Sequence, residues 1–381
     1  MSDKGGKLFG LLLFPLTYLA TWIIPKKKNL WLFGAWFGRK YEDSPRVLFE
    51  RCHKRKAPRV EAYWIYKGER PVSVAVAPEY FLNCYSVRGI WLQLRARVYF
   101  MCVNSRDFNP GCISRRNILV QTWHGTPMKA IGYPVLRNAL LDRVKFWVRW
   151  FFTDNYAMIL SPNEFTDQAF ADAFQLPKER MYRTEYPRCS SLFAGPEERA
   201  RIRQDVFRVQ DDVFLWVYLP THRNEGKDGI QTGIGLSIIE SLACGRLSSK
   251  CSFYFKPHYY EERFFAHREW TSVKRWPANS EYSLYELLAG ADGLITDYSS
   301  VAYDFAVTGR PIIIFDFDLH DYRTTNRSLI RLPSEDFESC AQTEDELGKL
   351  IEALSWHADQ RESCGFEGVS ERILDAVGRI A

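Results

Sequence analysis

The apolar residues of this chain gather into short unbroken runs separated by mixed, helix-like stretches. NLWLFGAWFG (29–38), VEAYWIY (60–66), VYFMCV (98–103), ILVQTW (118–123) and YAMIL (156–160) are apolar on both alternating faces, as strands buried in a parallel sheet are. Between them SPRVLFERCHK and NEFTDQAFADAF predict helices, and Asn163 is placed to cap the second. A second series begins near residue 212: VFLWVYLP (213–220), SFYFKP (252–257), GLITD (293–297) and PIIIFD (311–316) predict strands, and SLYELLAGA (283–291) and SVAYDFAVTG (300–309) predict helices. Strand alternating with helix implies right-handed βαβ units and a parallel sheet. Two such series predict an α/β chain of two Rossmann-like domains, joined near YPRCSSLFAGPEERA (186–200), where Pro, Ser, Gly and charge break the pattern. The expected boundaries are 1–28 for an N-terminal segment, 29–190 for the first domain and 191–381 for the second.

The segment before the first strand differs in kind. Leu8–Ile24 is a run of 17 uncharged, mostly apolar residues, preceded by Lys4 and Lys7 and followed by Lys26, Lys27 and Lys28. It is short for a spanning helix and contains Pro15. It lacks a small-x-small cleavage site after its apolar core. The reading is a membrane-associating anchor, with Tyr18 and Trp22 at the boundary and the lysines on anionic headgroups.

Length and composition fit two packed cores, with 381 residues of which 46% are hydrophobic. Net charge is only +5, but basic residues cluster in RCHKRKAPR (51–59) and alternate with aromatics in RVKFWVRWFF (143–152). Both clusters favour an anionic partner, and phospholipid accounts for them without any nucleic-acid motif. Nine cysteines without C-x-x-C spacing point to reduced thiols, and no metal or cofactor is called for. The dinucleotide fingerprint and the Walker loop are both missing.

The chemistry-bearing residues follow the predicted strands. In GLITDYSSVAYDFAVTGRPIIIF (293–315) the DYSS loop joins a strand to a helix, at the carboxyl edge where open α/β sheets bind ligands. Backbone amides there suit a phosphate, and Ser299 and Ser300 add hydroxyls. Asp297 would repel a phosphate, so it fits a donor hydroxyl, a cation or a histidine better. YLPTHRN (218–224) and FYFKPHYY (253–260) bring Thr221, Arg223, Lys256 and His258 to the same edge, with Arg and Lys suited to a diphosphate. In the first half, WHGTP ends a strand. Gly125 admits close approach, Thr126 can donate a hydrogen bond, and His124 titrates in the range needed to take a proton from a hydroxyl.

Taken in order, WHGTPMKAIG, PTHR, KPHYY and TDYSSVAYDFAVTGRPIIIF resemble the CDP-glycerol glycerophosphotransferase family, which builds teichoic acids and related capsule polymers. The resemblance spans roughly residues 30–330. It implies a GT-B fold whose two Rossmann-like domains face a cleft, and a peripheral enzyme at the cytoplasmic face of the membrane with a lipid-linked saccharide as acceptor. Carried over by position, His124 would be the base on the acceptor hydroxyl. His258, Asp297, Ser299 and Ser300 would hold the activated glycerol phosphate, assisted by Thr221 and Arg223, and Gly125, Thr126 and Arg188 would serve the acceptor side. The chain departs from the family pattern at EYPRCSS, where Cys189 and Ser190 replace polar and acidic residues, and at His222, where an aromatic is usual. The expected reaction moves glycerol phosphate or ribitol phosphate from CDP-glycerol or CDP-ribitol to a hydroxyl, releasing CMP. A GT-B glycosyltransferase using a nucleotide sugar, and a membrane-bound binding protein without turnover, fit the same residues at this point.

Overall fold

The computed structural model describes residues 14–55, 60–136, 140–223, 230–245, 247, 250–258, 260–277, 282–325, 328–356 and 368–381. The chain divides into two units: Met1–His124, Ile131–Arg188 and Phe366–Ala381 form the first, and Gly125–Ala130 with Cys189–Gly365 form the second. Two short pieces therefore leave the unit that their place in sequence suggests. Residues 125–130 join the second unit through an antiparallel bridge between Lys129 and Leu329 and backbone bonds to 328 and 330. The terminal helix joins the first unit for the reason given below.

The first unit is a seven-stranded sheet with parallel pairing throughout. Its strands are β1 (Lys27–Gly34), β2 (Glu61–Tyr66), β3 (Phe81–Asn83), β4 (Ala96–Met101), β5 (Ile118–Gln121), β6 (Met158–Ser161) and β7 (Met181–Arg183), in the order β3-β2-β1-β4-β5-β6-β7. Leu32, Tyr99, Met101, Leu119 and Ile159 are almost wholly buried and form its core. The apolar runs read in the sequence are these central strands. The three-residue β3 and β7 at the sheet edges carry no such run.

The described N-terminal residues are helical over Phe14–Ile23 (α1), and Gly111 lets this helix approach closely: a Cβ there would sit 2.4 Å from the Thr17 hydroxyl. No helix among the described residues is long and apolar enough to cross a membrane. Residues 1–13 of the expected anchor lie outside the described residues. Of the five lysines expected at headgroups, Lys26 and Lys27 are engaged within this unit. Lys26 donates to the Leu94 carbonyl at 2.7 Å, and burial lowers its pKa to about 8. Lys27 opens β1 and pairs with Glu61.

The helices α2 (Asp43–Lys54), α3 (Val87–Arg95), α4 (Leu140–Phe152) and α5 (Glu164–Phe174) complete the layers of this unit. Asn163 caps α5 as its sequence predicts, accepting from the Thr166 amide at 2.9 Å. The terminal helix Val369–Ile380 packs on α2, where Arg51 pairs with Glu371 and Arg55 with Asp375. Those are the charges of the basic cluster 51–59. Part of that cluster thus faces carboxylates of the same chain, and residues 56–59 lie outside the described residues.

The second unit is a six-stranded parallel sheet ordered β10-β9-β8-β11-β12-β13, with β8 (Phe214–Leu219), β9 (Cys251–Phe255), β10 (Val273–Arg275), β11 (Gly293–Thr296), β12 (Ile312–Phe315) and β13 (Cys340–Ala341). Trp216, Tyr218, Phe253, Ile295 and Ile313 fill its core. β11 lies between β8 and β12, so the loops after these strands emerge side by side. That adjacency brings Thr221 and Arg223 onto Asp297, 76 and 74 positions further along the chain.

Candidate active site

In the first unit the candidate base sits just beyond β5. His124 Nδ1 lies 2.8 Å from the Cys102 carbonyl oxygen at the end of β4. A carbonyl only accepts, so Nδ1 carries the hydrogen and the neutral ring keeps a lone pair on Nε2. The imidazole stacks on Trp123, centroids 4.4 Å apart, and rests against Trp36 at 5.3 Å. Its pKa lies below the usual imidazole value because burial disfavours the imidazolium. The Cys102 carbonyl and Asp43 oppose that fall and Arg188 adds to it.

Two buried charged residues fix this arrangement. Arg188 is 2% exposed. Its guanidinium lies 3.3 Å from Asp43 Oδ1 and 3.3 Å from the Trp123 carbonyl, and stacks over Tyr186. It ties the Trp123 carbonyl, directly before His124, to Asp43 and does not present its charge to solvent, which differs from the acceptor-binding role expected of it. Asp107, fully buried, accepts from the amides of Phe37 (2.7 Å), Cys102 (3.0 Å) and Val103 (2.9 Å). Burial pushes its pKa up to about 7 against these bonds and the nearby Lys67. Asp107 therefore sets the turns after β1 and β4, and with them the carbonyl that orients His124. Neither Asp107 nor Asp43 carries a sequence signal that marks it.

In the second unit the loops after β8, β11 and β12 converge on Arg223. Its guanidinium bonds Asp297 Oδ2 at 2.6 Å and both oxygens of Asp318 at 2.9 Å, in the two-pronged geometry arginine favours. Burial works against its charge, but Asp297 and Asp318 outweigh that and hold its pKa well above normal. Asp297, with no exposed surface, also accepts from the amides of Thr221 (2.8 Å) and Tyr298 (2.6 Å). Arg223 and Asp297 were expected to touch ligand. Here they bind one another and lock the THR and DYSS loops together. Asp318, which the sequence reading missed, follows the β12 strand end in FDFD.

A third buried carboxylate, Glu261, accepts from the Arg223 amide (3.2 Å), His222 Nδ1 (3.1 Å) and the Thr232 hydroxyl (2.9 Å). The rings of His222, His258 and Tyr260 then gather with centroids 5.4 Å apart. Lys256 and His258 follow β9 at half-buried positions, and Ser299 and Ser300 follow β11, also half-buried. The helix after them, Val301–Ala306, is only six residues long, and Ser300 at its start makes no side-chain cap. The hydroxyls of Tyr218 and Thr221 are buried without a partner among the described residues. Gly125 belongs to this cluster too. A Cβ on it would lie 2.4 Å from the Ser300 hydroxyl, so within this unit the backbone of Gly125 closes on the DYSS loop where no side chain fits. Thr126, beside it, is 5% exposed.

The family whose model matches residues 16–372 is described as CDP-glycerol:poly(glycerophosphate) glycerophosphotransferase. The chain is 25% identical to a teichoic acid glycerol-phosphate transferase of Staphylococcus aureus, over 92% of this chain and 93% of that one. It is also 25% identical to a teichoic acid poly(glycerol phosphate) polymerase of Bacillus spizizenii, over 86% of this chain and 83% of the relative. The solved structure of the wall teichoic acid polymerase TagF shares the fold, with a TM-score of 0.73 at 20% identity, covering 99% of this chain and 97% of that one.

Proposed function

The chain belongs to the CDP-glycerol:poly(glycerophosphate) glycerophosphotransferase family, and from that premise we propose how its residues divide the work of phosphoryl transfer in teichoic acid synthesis. The second unit takes the CDP-activated donor. Thr221, Lys256, His258, Ser299 and Ser300 supply hydroxyl, ammonium and imidazole donors to the diphosphate. Arg223 and Asp297 position those loops. The first unit supplies the base. The acceptor hydroxyl oxygen bonds to the phosphorus that carries glycerol, the bond from that phosphorus to CMP breaks, and the hydroxyl proton passes to Nε2 of His124. Arg188 acts through His124 as a positioning residue.

The observation that carries this reading is the bond from His124 Nδ1–H to the Cys102 carbonyl, which leaves Nε2 as an acceptor in a neutral ring. General-base assistance is worth about 10²–10⁴-fold. His124→Ala should lose that much turnover, read as labelled CMP released from CDP-glycerol with membrane extract as acceptor, and should unfold like the parent. Turnover near the parent's would remove His124 from the mechanism. The same assay with CDP-ribitol and a UDP-sugar tests the donor.

The reading includes a lipid-linked saccharide acceptor and attachment to an anionic membrane surface. Helix α4 supports the second point. A helix against a protein core turns its apolar stripe inward. Here Leu140, Leu141, Val144, Trp147, Val148 and Phe151 are exposed, and Phe146 is the buried residue of the helix. Tyr18 of α1 meets Phe152 at 5.3 Å, and Leu16, Leu19, Trp22 and Ile23 of α1 are exposed as well. Arg143, Lys145 and Arg149 lie within the same helix. Apolar bodies edged by cations suit the headgroup boundary of an anionic bilayer.

A further inference from the structure

Behind the exposed stripe of α4 the first unit contains a cavity of about 190 Å³. Trp123, Phe146, Trp150 and Tyr156 line it, together with Arg149 and Asp154. Phe146, Arg149 and Trp150 stand three and four positions apart, so one face of α4 serves the cavity while its apolar stripe faces out. Trp123 is shared. It forms cavity wall, and it stacks on the His124 imidazole.

We propose that this cavity is a saccharide subsite, which takes a pyranose ring of the acceptor adjoining the hydroxyl that reacts. The proposal rests on the lipid-linked saccharide reading above. Its chemistry is that of a neutral polyol. Ring faces give flat apolar walls for the C–H face of a sugar, and a few polar groups at the rim give direction. The Trp150 indole N–H is buried and has no partner among the described residues. Asp154, whose carboxyl is pushed above the usual range by burial, offers oxygens to hydroxyls and lies 3.7 Å from Arg149 Nε. A phosphate is disfavoured by that carboxylate. A hydrocarbon tail is disfavoured too, since it would leave the buried Trp150 N–H without water or partner. The volume suits one sugar ring. The position, with α4 between it and the exposed apolar stripe, suits a saccharide whose lipid stays in the bilayer.

The test is binding, measured without turnover. Saturation-transfer NMR on the full chain uses the methyl glycosides of glucose and N-acetylglucosamine, with glycerol 3-phosphate and a short alkyl alcohol as comparison probes. The expected result is saturation of a glycoside, weakened about 2- to 10-fold by Trp150→Phe, which keeps the ring and removes the N–H. Asp154→Asn should weaken it similarly, and KM for saccharide acceptor should rise while KM for CDP-glycerol holds. If neither glycoside is saturated, or both variants bind like the parent, the subsite is refuted even where CMP release is normal. If a glycoside binds here and no CMP is released from CDP-glycerol, the transferase reading fails and the sugar site stands. Preference for glycerol 3-phosphate or the alcohol, weakened by the same variants, would also overturn the proposal.

Discussion

Replacing Arg223 with leucine separates a residue that holds the fold from one that holds a ligand. The guanidinium makes three bonds to carboxylates: Asp297 at 2.6 Å, and Asp318 twice at 2.9 Å. The side chains of Arg223 and Asp318 are 4% exposed and that of Asp297 is 0% exposed. Removing one member of a buried ion pair costs about 3–5 kcal/mol, because the remaining charge is left without water or partner. Here two carboxylates are stranded, which puts the expectation at the upper end of that range. Each keeps some support. Asp297 retains the Thr221 and Tyr298 amides, and Asp318 retains the Tyr298 hydroxyl at 2.9 Å. Domains are stable by about 5–15 kcal/mol in total, so Arg223→Leu should bring the second unit close to its unfolding limit.

Urea unfolding followed by circular dichroism and tryptophan fluorescence reads this directly, with an early transition expected for the second unit. Arg223→Lys should fall between, since an ammonium keeps the charge but cannot span both carboxylates. Adding Asp318→Asn to Arg223→Leu should recover about 1–2 kcal/mol, because one stranded charge is gone. If Arg223→Leu unfolds at the parent's urea concentration while KM for CDP-glycerol rises tenfold or more, the reasoning is wrong and the guanidinium serves the diphosphate itself.

The remaining predictions concern the base, the loop contact and the membrane face. In the proposed mechanism the neutral His124 ring is the active form, and burial holds its pKa below 6.5, so kcat/KM should be flat at neutral pH and fall as pH drops through a midpoint below 6.5. A midpoint above 7 would contradict the burial that sets it. The same depression means that the stability His124 contributes is present above its unfolded pKa and lost as pH falls through the folded one. Gly125→Ala places a Cβ 2.4 Å from the Ser300 hydroxyl and should cost about 1–3 kcal/mol, seen as a lower Tm. Ser300→Gly in the same chain should recover part of it, the φ of 157° at Gly125 remaining unfavourable to a side chain, and an unchanged Tm in the single variant would refute the contact. If α4 is the proposed membrane face, the parent should sediment with phosphatidylglycerol vesicles, and Trp147→Glu with Val148→Glu should abolish that sedimentation. Undiminished sedimentation of the variant would refute α4 as that face.

The central strands were legible because burial on both faces requires continuous apolar runs, as in ILVQ or IIIF. The edge strands Phe81–Asn83, with Phe81 and Leu82 buried, and Met181–Arg183, with none buried, are three residues each, too short for a pattern to announce them. Helix α4 was visible as basic residues among aromatics, but not as a helix, because its stripe faces the wrong way for a core. In the site, the residue types were readable and their partners were not. Asp297 and Arg223 are 74 positions apart, and only the adjacency of β8 and β11 shows that they pair. Asp318 was in view as the second acid of FDFD at a strand end. Cys102 takes part through its carbonyl, which no sequence motif can mark.

The backbone around His124 is held in conformations that bulky residues avoid. Six non-glycine residues described have positive φ, and four of them, Trp36 (50°), Phe37 (61°), Asp43 (71°) and Trp123 (55°), surround this imidazole or its supports. Each such position costs of the order of 1–3 kcal/mol and persists only where its surroundings over-determine it. The surroundings do so here. Asp107 binds the Phe37 amide, Asp43 and the Trp123 carbonyl share Arg188, and the rings of Trp36 and Trp123 both rest on His124. Unstrained turns would release Asp107 and Arg188 from those bonds and let the imidazole swing from the Cys102 carbonyl. The buried charges of the first unit and the strained turns are therefore one device, and its effect is to fix which nitrogen of His124 donates to the Cys102 carbonyl and which is left as an acceptor.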